Sequence, residues 1–419
     1  MTAASGPAAT TLSLGRNFAL LSTAQLAGRV LAFAVTVHLT RTLLTEGFGA
    51  VAFATSVLAG AALLVDMGFD SLGPLEVARG RVPVAALART VVALRLTLTS
   101  PAFLALALFA WLTPVSAATK AVILLYGLSL LANAVDLNWV FLGAERMGAA
   151  AAADLAQQAL IAAGAFALVR EPEHLLRMPL IFLAGRAAAV AWLAVAARRS
   201  WGEVRPALDR TLLRDLVPAA LPFAGAAAVA VILTYFDLVL VGLWMSTADA
   251  GVYGAAYRIL WLPTMLVTAY LTVLRPSVAR RAMAGPSSPL SLFGPSAPAV
   301  VAVGILAAAA GILFAPALVD VLYGEAYRDA VAPLRLLLVS FALLVVSRHY
   351  RLVLVASGRQ ATDLRIMAAA AALNVALNVW LVPRAGLMGA AAANVASEAA
   401  ILVAVLWALR VRATGLGRE

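Results

Sequence analysis

From Asn17 onward the chain is a succession of apolar runs, each close to the roughly 20 residues that cross a bilayer, separated by short polar breaks. The pattern resolves twelve of them: 17–40, 48–69, 90–112, 118–142, 149–169, 175–197, 216–243, 250–274, 296–319, 332–356, 361–382 and 387–410. Most breaks are tight. The one after the second run carries Glu76, Arg79 and Arg81, and the one after the eighth carries Arg280, Arg281 and the turn formers Gly285, Pro286 and Pro289. The predicted fold is an all-α integral membrane protein with about twelve transmembrane helices.

The chain divides near its middle. The predicted organisation is an N-terminal six-helix lobe over 1–197, an interlobe linker over 198–215 and a C-terminal six-helix lobe over 216–419. Within the linker, Trp201, Val204, Leu208 and Leu212 recur at helical spacing while Arg205, Arg210 and Arg214 fall on other faces. A short helix lying on the inner membrane surface fits this pattern. A charged linker with incidental periodicity fits it equally. Two short echoes tie the halves together. Gly47-Phe48-Gly49-Ala50 is matched 204 residues later by Gly251-Val252-Tyr253-Gly254, and Phe109-Ala110 is matched at an offset of 205 by Phe314-Ala315. Six spans is an even number, so the lobes are expected to point the same way, as pseudo-symmetric halves around a central cavity.

Composition agrees with the pattern: 63% of residues are hydrophobic and 12% charged, against about 25% charged in soluble domains. The leader MTAASGPAATTLSLGRN is expected to run into an uncleaved first span, not to act as a signal peptide. With no cysteine, the chain has no disulfide, thiolate metal ligand or thiol nucleophile. The net charge of +11 would suggest nucleic acid in a soluble protein, but here it follows from where the arginines lie. The termini and even-numbered loops hold 18 basic residues and the odd-numbered loops six. The positive-inside rule then puts both termini in the cytoplasm, and no nucleic-acid partner is expected.

Charges within apolar spans need a reason, because each costs about 2.5–3.5 kcal/mol at the bilayer centre on insertion scales. Arg29 lies mid-span on a stripe with Ser22, Gln25 and Thr36 at near-helical spacing. Either this stripe lines a cavity, or a neighbouring helix satisfies Arg29. Arg258 has Tyr253, Tyr257 and Trp261 nearby, which suits sugars and phosphates or else an interfacial aromatic belt. Arg348 and Arg351 share one face and lie where snorkelling would also serve them. Arg186 follows Gly185 and is expected to pair with an acid, whereas Arg95 and Arg335 are expected to snorkel from helix ends. The acids are fewer: Asp66, Asp136, Asp154, Asp237 and Glu398. Glu398, Asp237 and Asp66 are candidates for ion coupling or for structural pairs, and Asn374 and Asn378 for helix-packing contacts. Seven arginines within the spans predict a cationic interior, suited to an anionic head group whose phosphate oxygens pair with guanidinium forks.

Nothing points to catalysis. There is no GxxxxGK followed by Ser or Thr, no HExxH and no metal-ligand cluster, and His38, His174 and His349 are scattered. The external loops are short. No cofactor and no metal are expected.

Five segments carry a family resemblance: EGFGAVAFATSVLAGAALLVDMGFDSLGPLEVAR (46–79), WVFLGAERMGAAAAAD (139–154), YFDLVLVGLWMSTADAGVYGAAYRILWLP (235–263), VDVLYGEAYRDAVAPLRLL (319–337) and NVALNVWLVPRAGLMGAAAANVASE (374–398). In that order the chain resembles the polysaccharide-transporter flippases, such as O-antigen and exopolysaccharide repeat-unit flippases, of the multidrug/oligosaccharidyl-lipid/polysaccharide exporter superfamily. The resemblance implies two six-helix lobes alternating between inward-open and outward-open states, and a polyprenyl-diphosphate oligosaccharide as substrate. It also implies cavity-lining arginines on the first and eighth helices, where Arg29 and Arg258 stand. The candidate substrate-binding set is thus Arg29, Arg258, Arg348, Arg351, Tyr257 and Gln25, the second pair resting on the residues alone. Candidate partners are membrane lipid, a coupling ion (H+ or Na+) and a polysaccharide polymerase, at a bacterial inner membrane. The competing readings are a cation-coupled multidrug exporter of the same superfamily and a membrane glycosyltransferase or acyltransferase.

Overall fold

The computed structural model describes residues 7–283 and 296–413, and side chains over 23–281 and 298–410. Among these residues there is no strand. The order is α1 (Pro7–Asp66), α2 (Phe69–Arg79), α3 (Val84–Leu112), α4 (Ala117–Gly127), α5 (Ser129–Ala134), α6 (Asn138–Gly143), α7 (Met147–Leu168), α8 (Arg177–Trp201), α9 (Arg210–Trp244), α10 (Thr247–Ile259), α11 (Trp261–Met283), α12 (Ser296–Leu322), α13 (Val331–Ala356) and α14 (Gln360–Ala413). Short 3-10 turns at Pro172–Leu176 and Glu325–Ala330 lead into α8 and α13. Among the described residues, ten helical stretches are long and apolar enough to cross a membrane, and the chain is a multi-pass membrane protein.

Two of these stretches exceed a single crossing. Thr23–Arg79 and Gln360–Arg410 contain 57 and 51 residues, whereas about 20 suffice for a bilayer core. The first is broken twice at positive φ, by Leu44 (φ 57°) within α1 and by Met67 and Gly68 (φ 52° and 87°) between α1 and α2, and the second once, by Gly386 (φ 56°) within α14. Glycine adopts that conformation without steric penalty. Leucine does not, and at ψ −170° Leu44 lies in a region essentially confined to glycine, at a cost of about 1–3 kcal/mol.

The run at 118–142, expected to be one helix, is three: α4, α5 and α6. No glycine or proline breaks it at 135–137. The interrupter is Asp136, whose Oδ1 accepts from the Asn138 amide at 2.9 Å and so caps the next turn. The linker does not form the amphipathic helix: α8 runs on to Trp201 and α9 starts at Arg210, with non-helical chain between. Its apolar residues pack onto the protein instead. Trp201 lies 5.1 Å from the Phe141 ring and under the Arg146 guanidinium at 5.2 Å, and the Arg89 Nη2 donates to the Glu203 carbonyl at 3.0 Å.

The chain forms two compact units. The first takes in the chain to Leu43 together with Ala54–Ala228, and the second Leu44–Phe53 together with Val229 onward. In the first, α8 packs on α4, α5 and α7, and a core of Phe69, Leu72, Val91, Trp139, Phe141 and Leu193 seals one end. In the second, α13 is central, contacted by α10, α11, α12 and α14.

The segment Leu44–Phe53 is held in the second unit by specific contacts. The Tyr327 hydroxyl donates to the Leu44 carbonyl at 2.9 Å, and the Tyr327 ring meets Phe48 edge-on. Here the two echoed segments cross. A methyl at Gly49 would overlap the Thr247 carbonyl, and one at Gly251 would overlap the Thr45 carbonyl. This reciprocal contact equates Thr45 with Thr247 and Gly49 with Gly251, an offset of 202, where sequence matching had aligned the segments at 204. Gly251→Ala is therefore expected to lower unfolding stability by about 1–3 kcal/mol through overpacking. Gly60→Ala, at a helical site where an added Cβ meets nothing within 4 Å, should leave thermal unfolding in detergent unchanged or slightly improved.

Candidate substrate-binding site

In the first unit, three elements bring the arginines and acids together. Arg95 is not a snorkelling residue. It is 2% exposed, and its Nη2 is shared between Asp66 and Asp70, the latter at 2.8 Å. Asp66 also accepts from the backbone amides of Gly68 and Asp70, at 3.0 and 2.9 Å, tying the turn between α1 and α2 to α3. Arg186 on α8 does pair with an acid: its Nη2 donates to Asp136 at 2.8 Å and its Nε to the Asn133 side chain at 2.9 Å. Asp154 on α7 adds a second carboxylate to this cluster. On α1, Gln25 and Arg29 are exposed, while Thr36, two turns further along the same stripe, is buried and donates to the Ala32 carbonyl. The side chain of Ser22 lies outside the described residues.

In the second unit, Arg258 is half-buried and stacks on Trp261, its guanidinium carbon 4.0 Å from the ring centroid. Tyr257 is also half-buried and has Tyr253 as a ring neighbour at 6.4 Å. Asp237 is buried on α9. It accepts from the Tyr253 hydroxyl at 2.6 Å and from the Leu238 amide at 2.8 Å, a satisfied structural arrangement. On α14, Glu398 accepts from the Ser347 hydroxyl at 3.2 Å and acts electrostatically on Arg348. Asn374 and Asn378 bond each other, and Asn374 donates to Ser397, so both serve helix packing.

Arg348 and Arg351 line a cavity of about 230 Å³ between the middle of α11, the last turns of α13 and the first turn of α14. Thr268, Thr272 and Arg275 reach it from α11, at i, i+4 and i+7, and Asp363 from the first turn of α14. The Thr268 hydroxyl accepts from the Arg348 Nη1 at 2.5 Å. Arg351 binds Asp363 in bidentate fashion, Nε and Nη2 at 2.7 and 3.0 Å. Several of the arginines expected to make the interior cationic are paired. Arg95, Arg186 and Arg351 each sit against a carboxylate, and positive charge concentrates at particular places. Sequence reasoning passed over Thr268, Thr272, Arg275 and Asp363. Their helical spacing on α11 was legible, but Arg275 read as a loop residue.

The chain matches the family described as "Polysaccharide biosynthesis protein" over residues 14–281 and belongs to that family. No curated protein sequence matches it. Among solved structures it is similar to the lipid II flippase MurJ in an inward closed conformation, with a TM-score of 0.76 at 12% identity over 93% of this chain and 87% of that one. It is also similar to a multidrug resistance MATE family transporter of the MOP superfamily in its inward-facing conformation, with a TM-score of 0.73 at 16% identity over 93% and 95%. A MOP superfamily transporter from Pyrococcus furiosus Vc1 aligns with a TM-score of 0.54 at 14% identity over 97% and 95%. The fold of the chain is that of these membrane transporters.

Proposed function

We propose that this protein is a flippase that moves a polyprenyl-diphosphate-linked oligosaccharide across a bacterial inner membrane by alternating access, for O-antigen or exopolysaccharide biosynthesis. The observation that carries this reading is the stacking of Arg258 on Trp261 within a protein of the polysaccharide biosynthesis family. A guanidinium stacked on an indole has its planar fork held in orientation, and that fork matches phosphate oxygens. The neighbouring ring of Tyr257, half-buried, suits the face of a sugar ring. Arg29 and Gln25, exposed on α1, are the candidate substrate-binding residues of the first unit.

Twelve crossings in two six-helix lobes follow if the two bent stretches of 57 and 51 residues each cross twice. With the 18-to-6 division of basic residues, both termini are cytoplasmic. Reporter fusions after Gly417 and within Ser287–Ser291, sites outside the described residues, should read cytoplasmic, and one at Thr247 should read external. An external C-terminus would overturn the topology.

The diphosphate carries about two negative charges, and moving each outward across about 100 mV, negative inside, is favourable by about 2.3 kcal/mol. The potential can therefore assist export without ATP. Glu398 is the candidate for coupling to H+ or Na+, since it is a carboxylate held beside Arg348 by Ser347. Glu398→Gln should reduce transport severalfold with expression intact, measured as surface polysaccharide per unit of membrane protein. Full activity would leave Glu398 a packing residue. The cation-coupled multidrug exporter predicts instead that the protein confers drug resistance in a susceptible strain, with no effect on lipid-linked glycan. A polysaccharide polymerase that takes the delivered repeat unit is the expected partner.

A further inference from the structure

We propose that the cavity between α11, α13 and α14 is a phosphate-binding subsite, distinct from the position of Arg258, that takes the anionic head group of the lipid-linked substrate before translocation. The role in loading rests on the flippase reading; the anion site itself does not.

The lining carries three guanidinium groups and one carboxylate. Asp363 is committed to Arg351 through two hydrogen bonds, which fixes that guanidinium in place. Arg348 is steadied by Thr268. Arg275 makes no hydrogen bond or ion pair with another described residue, so its charge is uncompensated within the site. Two threonine hydroxyls stand on the α11 face that carries Arg275. Both hydroxyls donate to backbone carbonyls one turn back, of Thr264 and Thr268, at 2.8 and 2.9 Å, so the guanidinium forks are the donors, and several of them around one small space form the arrangement that multidentate phosphate oxygens satisfy.

Size limits the ligand further. At about 230 Å³, the cavity is below the roughly 300–1,000 Å³ of clefts that enclose drug-sized molecules. A diphosphate fits. An oligosaccharide repeat unit does not, and must remain outside while its head group is held. Thr268 is ten residues beyond Arg258, about 15 Å along the helical path at 1.5 Å per residue. The two arginine sites are therefore successive stations within the second unit, the nearer to the chain's basic loops being the cavity. Arg275 is a binding residue of this subsite and Asp363 a positioning residue acting through Arg351.

The phosphate could belong to the polyprenyl diphosphate or to a phospholipid head group, and the test separates the two. Purified full-length protein in phosphatidylcholine nanodiscs is titrated calorimetrically with inorganic pyrophosphate. Saturable binding is expected, weakened about tenfold or more by Arg275→Gln, as loss of a charge-assisted hydrogen bond implies. Arg275→Lys should recover part of it. Asp363→Asn should weaken binding with Arg275 intact, and pyrophosphate should then no longer protect the protein in thermal unfolding. The Arg29→Ala, Arg258→Ala double variant should keep the component of pyrophosphate binding that Arg275→Gln removes. If pyrophosphate binding is lost in that double variant and insensitive to Arg275→Gln, the subsite is refuted while the flippase reading stands. If the subsite variants behave as expected but no lipid-linked saccharide is moved, the anion site stands and the flippase reading fails. Abolition of pyrophosphate binding in phosphatidylglycerol nanodiscs would assign the cavity to a phospholipid head group and overturn the loading role.

Discussion

Alanine in place of Arg95 is expected to lower stability by about 3–5 kcal/mol, the usual consequence of removing one partner from a buried ion pair. The guanidinium is 2% exposed and bridges Asp66 and Asp70, so its loss leaves a carboxylate pair facing each other across the turn that joins α1 to α2. Asp66 suffers most, since Asp70 is largely exposed and can be solvated. Thermal unfolding in detergent should show the loss. Restoring charge balance by combining Arg95→Met with Asp66→Asn and Asp70→Asn should recover most of it. Wild-type stability in the Arg95→Ala variant would mean that this triad does not hold the first unit together.

The second large effect is functional. Replacing both Arg29 and Arg258 by alanine should abolish translocation, with lipid-linked glycan accumulating on the inner face and surface polysaccharide lost. Arg258→Lys should rescue only partly, because an ammonium lacks the planar fork and stacks less well on Trp261. The arginines must bind only moderately, since a ligand held tightly in one state resists the change to the other. Wild-type surface polysaccharide in a stably expressed double variant would remove the mechanism.

Much of this architecture was legible because lipid imposes a simple rule: backbone groups must be satisfied within the helix, so apolar length alone marks a span. What length does not mark is where a span breaks. Asp136 interrupts 118–142 because its side chain caps the following turn and holds Arg186 at the same time, a pairing 50 residues apart that no local pattern displays. The linker misled for the opposite reason. Trp201, Val204 and Leu212 are helically spaced, yet they are apolar because they pack onto the core, Trp201 from the end of α8, Val204 from the non-helical link and Leu212 from the start of α9.

The site was read less completely. Isolated arginines were visible as anomalies, and Arg186 was correctly assigned an acid partner, but Arg95 was taken for a helix-end residue when two carboxylates bury it. Sequence spacing shows which residues share a face, and not which face meets which. Arg348 and Arg351 were placed together, but the Thr268, Thr272 and Arg275 face that completes their cavity comes from another helix. Likewise the segments of Gly49 and Gly251 were aligned as repeats two residues out of register, whereas the small size of the two glycines serves a direct crossing of the two backbones.

The central claim is lipid-linked saccharide translocation, and the most direct measurement is reconstitution. Purified protein is incorporated into liposomes containing a polyprenyl-diphosphate oligosaccharide with a fluorescent sugar in both leaflets, and accessibility to a membrane-impermeant quencher is followed over time. Protein-containing vesicles should quench nearly all of the fluorescence, with the protein-free and Arg29→Ala, Arg258→Ala vesicles stopping near half. Quenching that stops near half with folded wild-type protein, under an imposed potential of either sign, would contradict the account.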